Sequence, residues 1–209
     1  MPVSPRKPRP RLKKAAYHHG SLESALLAIG TELIDAEGPG ALTLKRVAER
    51  AGVTASAVQH PFKDKESMLA AIAAGAFREL EAELKGAARQ AEGAEACLRA
   101  LLGAYVRFAC HRPLRFQFMF EARFLDGERH PASANASLDC YDLLRRAVAD
   151  YTGQPVRLGA LTAWSLVHGL SAILTSSRIP PGEQVPDSLD EVVAIVFDLL
   201  VHGLGNHGG

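Results

Sequence analysis

The apolar residues in the first third of the chain recur at the three-to-four-residue spacing of helices that bury one face. The first such run begins at Ser21 and ends at the turn formed by residues 38–40, which predicts a helix of about four turns. Thr43 is a good N-cap residue, and Gly52 is typical of the residue that follows a helix. A second helix of barely two turns is therefore predicted between them.

A third, shorter helix is predicted at residues 55–60, within the stretch GVTASAVQHPF. Thr54 can cap its start, and Pro61 ends it because proline lacks a backbone donor and disfavours helical angles at the preceding residue, His60. Asp64 can cap a longer fourth helix. Between later glycine and proline breaks, the same periodicity predicts five more helices at 95–112, 113–124, 131–151, 156–178 and 188–204.

Few residues alternate as they would in a β-strand, so the pattern predicts an all-α protein of about nine helices. The chain has 209 residues, of which 47% are hydrophobic and only 6% aromatic. This length and composition are sufficient for a substantial buried core and are typical of a globular protein.

The second and third helices satisfy the steric rules of a helix-turn-helix motif. Ala48 is small where the next helix crosses, Gly52 permits a tight turn, and Val47, Val53 and Val58 fill the space between the two helices. A third helix as short as this one can lie in the major groove of DNA, because mainly its N-terminal residues reach the base edges.

Residues 17–77 carry a wider resemblance, most clearly in the stretches AEGPGALTLKRVAERAGV and FKDKESMLAAI. They resemble the N-terminal DNA-binding domain of the TetR family of bacterial transcriptional regulators. Residues 161–174, LTAWSLVHGLSAIL, are similar to the Trp, His and Gly signature (Trp164, His168 and Gly169) of the WHG type of C-terminal domain in that family.

The resemblance implies a homodimer whose paired N-terminal domains bind a palindromic operator, and family habit favours repression that a small apolar or amphipathic ligand relieves. We therefore expect a flexible basic arm at residues 1–16, a three-helix helix-turn-helix domain at 17–63, and a larger helical ligand-binding and dimerisation domain at 64–209. We expect no cofactor and no enzymatic activity, because the sequence offers no convincing constellation of reactive groups.

The resemblance also assigns DNA contacts. Thr43 and Lys65 match positions that usually hold phosphates, and Arg46 and Lys63 are basic residues beside them. The recognition helix corresponds to Thr54, Ala55, Ser56, Gln59 and His60.

Two of these positions depart from the family pattern, which usually has an aromatic residue in place of Gln59 and an aromatic residue or histidine in place of Pro61. The missing aromatic commonly contacts the DNA backbone. Gln59 either reads a base edge, for example adenine, or is only a solvated surface residue.

Charge is distributed unevenly along the chain, although the net charge is only +1. Residues 1–63 hold ten Lys and Arg against five acidic residues, whereas acidic residues are in excess in the remainder. A basic N-terminal part favours a polyanionic partner. The arm is either a solubilising tail or a source of phosphate contacts through Arg6, Lys7, Arg9, Arg11, Lys13 and Lys14.

Most aromatic residues of the body lie between Tyr105 and Tyr141, which marks the expected ligand pocket, although each of them is also explained by core packing at helical spacing. Trp164 and His168 are four residues apart and share one helix face, where packing also suffices to explain them. The candidate ligand contacts are Tyr105, Phe108, Phe116, Phe120, Phe124, Tyr141, Trp164 and His168.

The last predicted helix is apolar over too wide an arc for one-sided burial, which fits an interface between two copies of the chain. In the TetR family the last two long helices commonly form such an interface. The residues concerned are Val192, Val193, Ile195, Val196, Leu199 and Leu200.

The cysteines and the other reactive side chains give little support to other functions. Three cysteines, Cys97, Cys110 and Cys140, fit a reducing cytoplasm better than a disulfide framework, and no apolar run is long enough to span a membrane. No catalytic constellation or metal-ligand spacing stands out. Two alternatives stay open: a family member that has lost operator recognition and serves as a ligand- or protein-binding module, and a thiol switch at Cys110 or Cys140.

Overall fold

The computed structural model describes residues 19–176 and 179–205. Over this part of the chain it is all-helical, with nine α-helices and no strand, which confirms the predicted fold class. The basic arm lies outside the described residues. The helices are α1 (His19–Glu37), α2 (Leu44–Ala51), α3 (Ala55–Gln59), α4 (Lys65–Gln90), α5 (Ala94–His111), α6 (Pro113–Met119), α7 (Pro131–Thr152), α8 (Gly159–Thr175) and α9 (Leu189–Gly205), with short 3-10 helices at Pro39–Ala41 and Ala122–Phe124.

Side-chain caps begin three of the N-terminal helices where the sequence predicts them. The Thr43 hydroxyl accepts a hydrogen bond from the Arg46 backbone N–H at 3.1 Å, and Thr54 accepts one from Ala57 at 3.3 Å. Asp64 and Ser67 form a reciprocal capping box at the start of α4, and these hydrogen bonds lower the pKa of Asp64. These caps satisfy backbone donors that the first turn of a helix leaves unpaired.

The end of α3 differs from the expectation that Pro61 forces His60 out of helical angles. His60 has φ −66° and ψ −52°, and its N–H still donates to the Ser56 carbonyl at 3.2 Å. Phe62 continues this turn with a hydrogen bond to Val58, and its side chain is buried. Burial of Phe62 therefore outweighs the local preference of a residue that precedes proline.

The predicted helix at 113–124 divides into α6 and a 3-10 turn. Phe118 and Phe124 pack edge to face, with ring centroids 5.0 Å apart. Residues six apart cannot share a face of a continuous helix, so the break after α6 allows both rings to enter the core. The helix expected at 156–178 also begins later, at Gly159, because Leu158 adopts a left-handed conformation with φ 61°.

Helices α1 to α3 form a small N-terminal head, and α4 runs from this head into the helical body. Gly30 marks a close approach of α1 to α4, since a Cβ atom there would lie 2.8 Å from Ile72 Cδ1. In the body α4 packs against α5 and α7, while α8 and α9 pack against α5. None of the helices in the described part of the chain combines the length and the hydropathy needed to cross a bilayer.

Candidate DNA-binding surface and ligand cavity

One face of helix α3 packs against the rest of the head, and the opposite face is exposed to solvent. Val58 is fully buried beside Val47 of α2, and the left-handed Gly52 makes the turn between the two helices. All five residues assigned to the recognition helix are solvent-exposed: Thr54, Ala55, Ser56, Gln59 and His60. This arrangement presents a short polar helix at the surface, as reading of a major groove requires.

The four residues expected near phosphates have different surroundings. The Arg46 guanidinium donates to Glu37 at 3.0 Å and to the Ala41 carbonyl at 3.2 Å, and the pairing lowers the pKa of Glu37 and raises that of Arg46. A phosphate would have to compete with Glu37 for Arg46. Lys65 donates to the Gly40 carbonyl at 3.4 Å, whereas Thr43 and Lys63 are exposed.

The body encloses a cavity of about 260 Å³ between α4, α5, α7 and α8. Its wall contains no Asp, Glu, Lys, Arg or His side chain, and it is almost entirely hydrocarbon and aromatic. The lining residues are Phe77, Leu80, Leu84, Leu101, Leu102, Tyr105, Phe120, Leu125, Ser137, Leu138, Cys140, Tyr141, Leu144, Leu161, Trp164 and Val167.

Four of the eight candidate ligand contacts line this cavity, namely Tyr105, Phe120, Tyr141 and Trp164. The other four stand behind or beside its wall. Phe116 meets the Tyr105 ring at right angles with centroids 5.7 Å apart, and His168 lies behind Tyr105. Phe108 is buried under the guanidinium of Arg112, and Phe124 packs against Phe118.

The sequence prediction missed Phe77 and the aliphatic part of the wall, to which α4, α5, α7 and α8 each contribute. Phe77, Leu80 and Leu84 project from α4 at helical spacing, beyond the part of α4 that packs on the head. An apolar stripe that extends this far past the head was a usable signal of a second core around the cavity. The predicted pocket was centred on the aromatic residues between Tyr105 and Tyr141, so it did not include this stripe.

Behind the cavity wall, the Tyr105 hydroxyl and His168 Nδ1 share a hydrogen bond of 2.7 Å. Burial raises the pKa of Tyr105 and lowers the pKa of His168, so both groups are neutral near pH 7. The Trp164 ring lies 5.3 Å from the ring of His168. The hydrogen bond with His168 therefore holds Tyr105 in place.

An ion-pair cluster connects the body to the head. Arg115 of α6 is 9% exposed and pairs with Asp35 of α1, with Nε 2.8 Å from a carboxylate oxygen. The Nη1 atom of Arg115 pairs with Glu79 of α4. Arg112, just before α6, pairs with Glu79 at 2.9 Å and with Glu83 at 3.1 Å. Helix α6 thus contacts the head through Arg115, and Phe120 directly after it lines the cavity.

The three cysteines are all unpaired thiols. Cys140 lines the cavity and donates to the Phe77 carbonyl at 3.3 Å, and burial raises its pKa to about 12. Cys97 and Cys110 are half-buried, and burial also raises the pKa of each. Within residues 19–176 and 179–205, no three potential metal ligands among His, Cys, Asp and Glu come together.

A short exposed helix held by a glycine turn, joined to a helical body with an apolar cavity, defines a helix-turn-helix DNA-binding protein with a ligand-binding domain. Residues 26–72 match the model of the tetR family of bacterial regulatory proteins, and residues 98–199 match the tetracyclin repressor-like C-terminal domain. The chain belongs to the TetR family of transcriptional regulators. The second match includes Trp164, His168 and Gly169; the assignment to the WHG type stays a prediction.

Several solved structures share the fold of this chain. A protein of unknown function from Rhodococcus sp. RHA1 is 28% identical, with a TM-score of 0.74 over 91% of this chain and 98% of that one. A tetR-family regulatory protein from Rhodococcus RHA1 is 20% identical, with a TM-score of 0.66 over 88% and 96%. FadR from Bacillus subtilis, solved with stearoyl-CoA, is 16% identical, with a TM-score of 0.64 over 86% and 98%. No curated protein matches the chain significantly.

Proposed function

We propose that this protein is a ligand-responsive repressor that binds a palindromic operator as a homodimer and is released by a small apolar or amphipathic ligand. The observation that carries the proposal is the position of α6. Arg115 of this helix pairs with Asp35 of the head, and Phe120 at its end lines the cavity of the body. A ligand that displaces Phe120 would therefore act on the head through one rigid helix.

The exposed apolar side chains of α8 and α9 support the homodimer. Ile173, Ile195 and Leu199 are between 45% and 64% exposed, although the opposite faces of both helices pack within the chain. A second copy would cover this surface by two-fold symmetry. Two heads held in this way must match half-sites about one DNA turn, or 34–36 Å, apart.

The cavity supports a ligand whose enclosed part is uncharged. Placing an unpaired charge in an apolar interior is costly, and none of the side chains that line the cavity carries a charge to offset it. The complex of FadR with stearoyl-CoA is in line with an effector that has an apolar part.

Operator binding is tested by fluorescence anisotropy, in which the purified protein is titrated against labelled DNA from just upstream of its own gene. The titration is carried out with an excess of unrelated duplex as competitor and repeated over a series of salt concentrations. We expect binding that persists against competitor. Replacing Ser56 and His60 by alanine should weaken it by about 1–3 kcal/mol for each base that the helix no longer reads. Gln90→Ala, at the exposed far end of α4, is the matched control and should leave the affinity unchanged.

The alternative is a ligand- or protein-binding module without operator recognition, and Gln59 and Pro61 in place of the family's usual residues favour it. It predicts binding that disappears with competitor or salt, because only non-specific phosphate contacts would remain. A distant operator would give the same result with upstream DNA. Selection from random duplexes separates these two cases, since a module without recognition enriches no sequence.

A further inference from the structure

A second cavity, of about 390 Å³, adjoins the mouth of the apolar one. The two share Tyr141 and Leu161 and therefore lie next to each other between α7 and α8. Their walls differ in charge. No charged residue lines the first, called the inner cavity below, whereas Arg145, Arg146 and Asp150 are among the residues that line the second, the outer cavity.

The inner cavity limits the size of what it can hold. An apolar protein cavity of about 150 Å³ holds one benzene molecule with its six carbon atoms, so a cavity of about 260 Å³ corresponds to about ten carbon atoms. This is a hydrocarbon chain of medium length. A polar head at the end of such a chain would reach Tyr141, which lies at the boundary of the two cavities.

The outer cavity is suited to an anionic head. Arg145 follows Tyr141 by four residues and therefore lies one helical turn further along the same face of α7. Arg145 pairs with Asp142 at 2.9 Å, but both side chains are about half exposed, and an ion pair of this kind is weak. Arg146 is exposed, and no carboxylate in the described part of the chain pairs with it. Two guanidinium groups can thus turn to a carboxylate or phosphate at low cost.

We propose that the effector is an amphipathic anion with an alkyl chain of medium length, which buries its tail in the inner cavity and places its head on Arg145 and Arg146. This inference rests on the proposed function, because it specifies the ligand of the same regulatory cavity. The shared chemistry is an acyl chain with an acidic head, supplied either by a free carboxylate or by the phosphates of an acyl thioester.

Binding can be measured without DNA, because Trp164 is the single tryptophan of the chain and lines the inner cavity. Its fluorescence is titrated with decanoate, decanoyl-CoA and decanol, and then with carboxylates from octanoate to hexadecanoate. We expect decanoate or decanoyl-CoA to bind at least about fivefold more tightly than decanol. The anion that binds more tightly shows whether the acidic group of the effector is a free carboxylate or the phosphates of an acyl thioester. Affinity should peak near the medium chain length and fall at hexadecanoate.

The arginines are tested with Arg146→Gln and with the double variant Arg145→Gln/Arg146→Gln. Both side chains are exposed, so the fold should persist. The double variant should lose about five- to tenfold in affinity for the anion while its affinity for decanol stays the same. Arg89→Gln, another exposed arginine outside both cavities, is the matched control and should bind as the parent does.

Equal affinity for decanol and both anions, or an unchanged double variant, would overturn the inference, as would affinity that rises steadily to hexadecanoate. None of these results depends on operator binding. If the N-terminal domain did not recognise DNA, the fluorescence titration could still be carried out and interpreted. Failure of the proposed function and failure of this inference are therefore distinguishable.

Discussion

Cys140 forms part of the cavity wall, and its thiol is held away from the solvent. Because the thiolate is the reactive form and the pKa is raised to about 12, about one molecule in ten thousand is ionised at pH 8. We expect iodoacetamide to alkylate Cys97 and Cys110 of the folded protein well before Cys140. Mass spectrometry of peptides over a time course measures the order.

The unfolded protein in guanidinium is the control, in which all three thiols should react at similar rates. Mild oxidation of the folded protein should likewise leave its DNA affinity unchanged. Loss of DNA binding together with oxidation of Cys140 would contradict this prediction and favour the thiol switch.

The sequence alone identified some residues of the cavity wall, but it did not show which side chains line the cavity and which lie behind the wall. Of the predicted ligand contacts, Tyr105 and Trp164 line the cavity, whereas Phe116 and His168 stand behind Tyr105. Helical periodicity gives the face on which a side chain lies, but several helices share this core. Whether a ring meets the cavity or its neighbour depends on packing between elements distant in sequence.

Among the elements, α6 connects the cavity to the head, and Asp35→Asn tests this connection. The change leaves the largely buried Arg115 with Glu79 as its remaining partner, so unfolding in urea should show a loss of about 1–3 kcal/mol. Decanoate should still alter Trp164 fluorescence with its original affinity, but it should release the operator less effectively, because α6 no longer holds α1.

Glu121→Gln provides the matched control, since Glu121 pairs at 2.8 Å with Arg123 in an exposed position close to α6. It should change neither the stability nor the release appreciably. If Asp35→Asn lowers the stability and the release by decanoate is fully retained, the pair of Arg115 and Asp35 is only a structural contact.

Element boundaries were predictable where a local interaction sets them. Thr43, Thr54 and Asp64 mark helix starts because their side chains satisfy backbone donors within the same turn. The end of α6 and the start of α8 were placed wrongly. The end of α6 depends on how Phe124 packs against Phe118 in the core, which the local sequence does not encode. The start of α8 follows from the left-handed conformation of Leu158.

At the level of the whole molecule, the apolar surface of α8 and α9 predicts a dimer that a single charge should weaken. Leu199→Lys places an ammonium group at a position that is 64% exposed in one chain and that a partner would cover. We expect sedimentation velocity to show monomers at concentrations where the parent is dimeric. Operator affinity should fall at least about tenfold, because one head contacts only a half-site.

Leu138→Lys, at a position that is 61% exposed on α7, is the control for a charge placed on an apolar surface. It should leave the sedimentation of the ligand-free protein unchanged. Dimers of Leu199→Lys that are as stable as those of the parent would move the interface away from α9.

The two-part organisation was evident from the sequence because the basic N-terminal part and the helix-turn-helix spacing are local features. The cavity was not, since its wall combines residues from α4, α5, α7 and α8 that are up to 90 positions apart in the chain, from Phe77 to Val167. Only the packing of the helices brings them together.

Because α4 is long, a small tilt near one end displaces its other end much further. Its 26 residues span about 39 Å, so a tilt of about 4° around its far end moves its first turn by about 3 Å. Leu84, in the cavity wall near that end, moves by only about 0.6 Å during the same tilt. Phe77, also in the cavity wall, moves by about 1.4 Å. If the proposed ligand tilts α4 in this way, a shift in the cavity is enlarged about two- to fivefold at the first turn of the helix, and we expect close chemical analogues to differ as inducers even where they bind equally well.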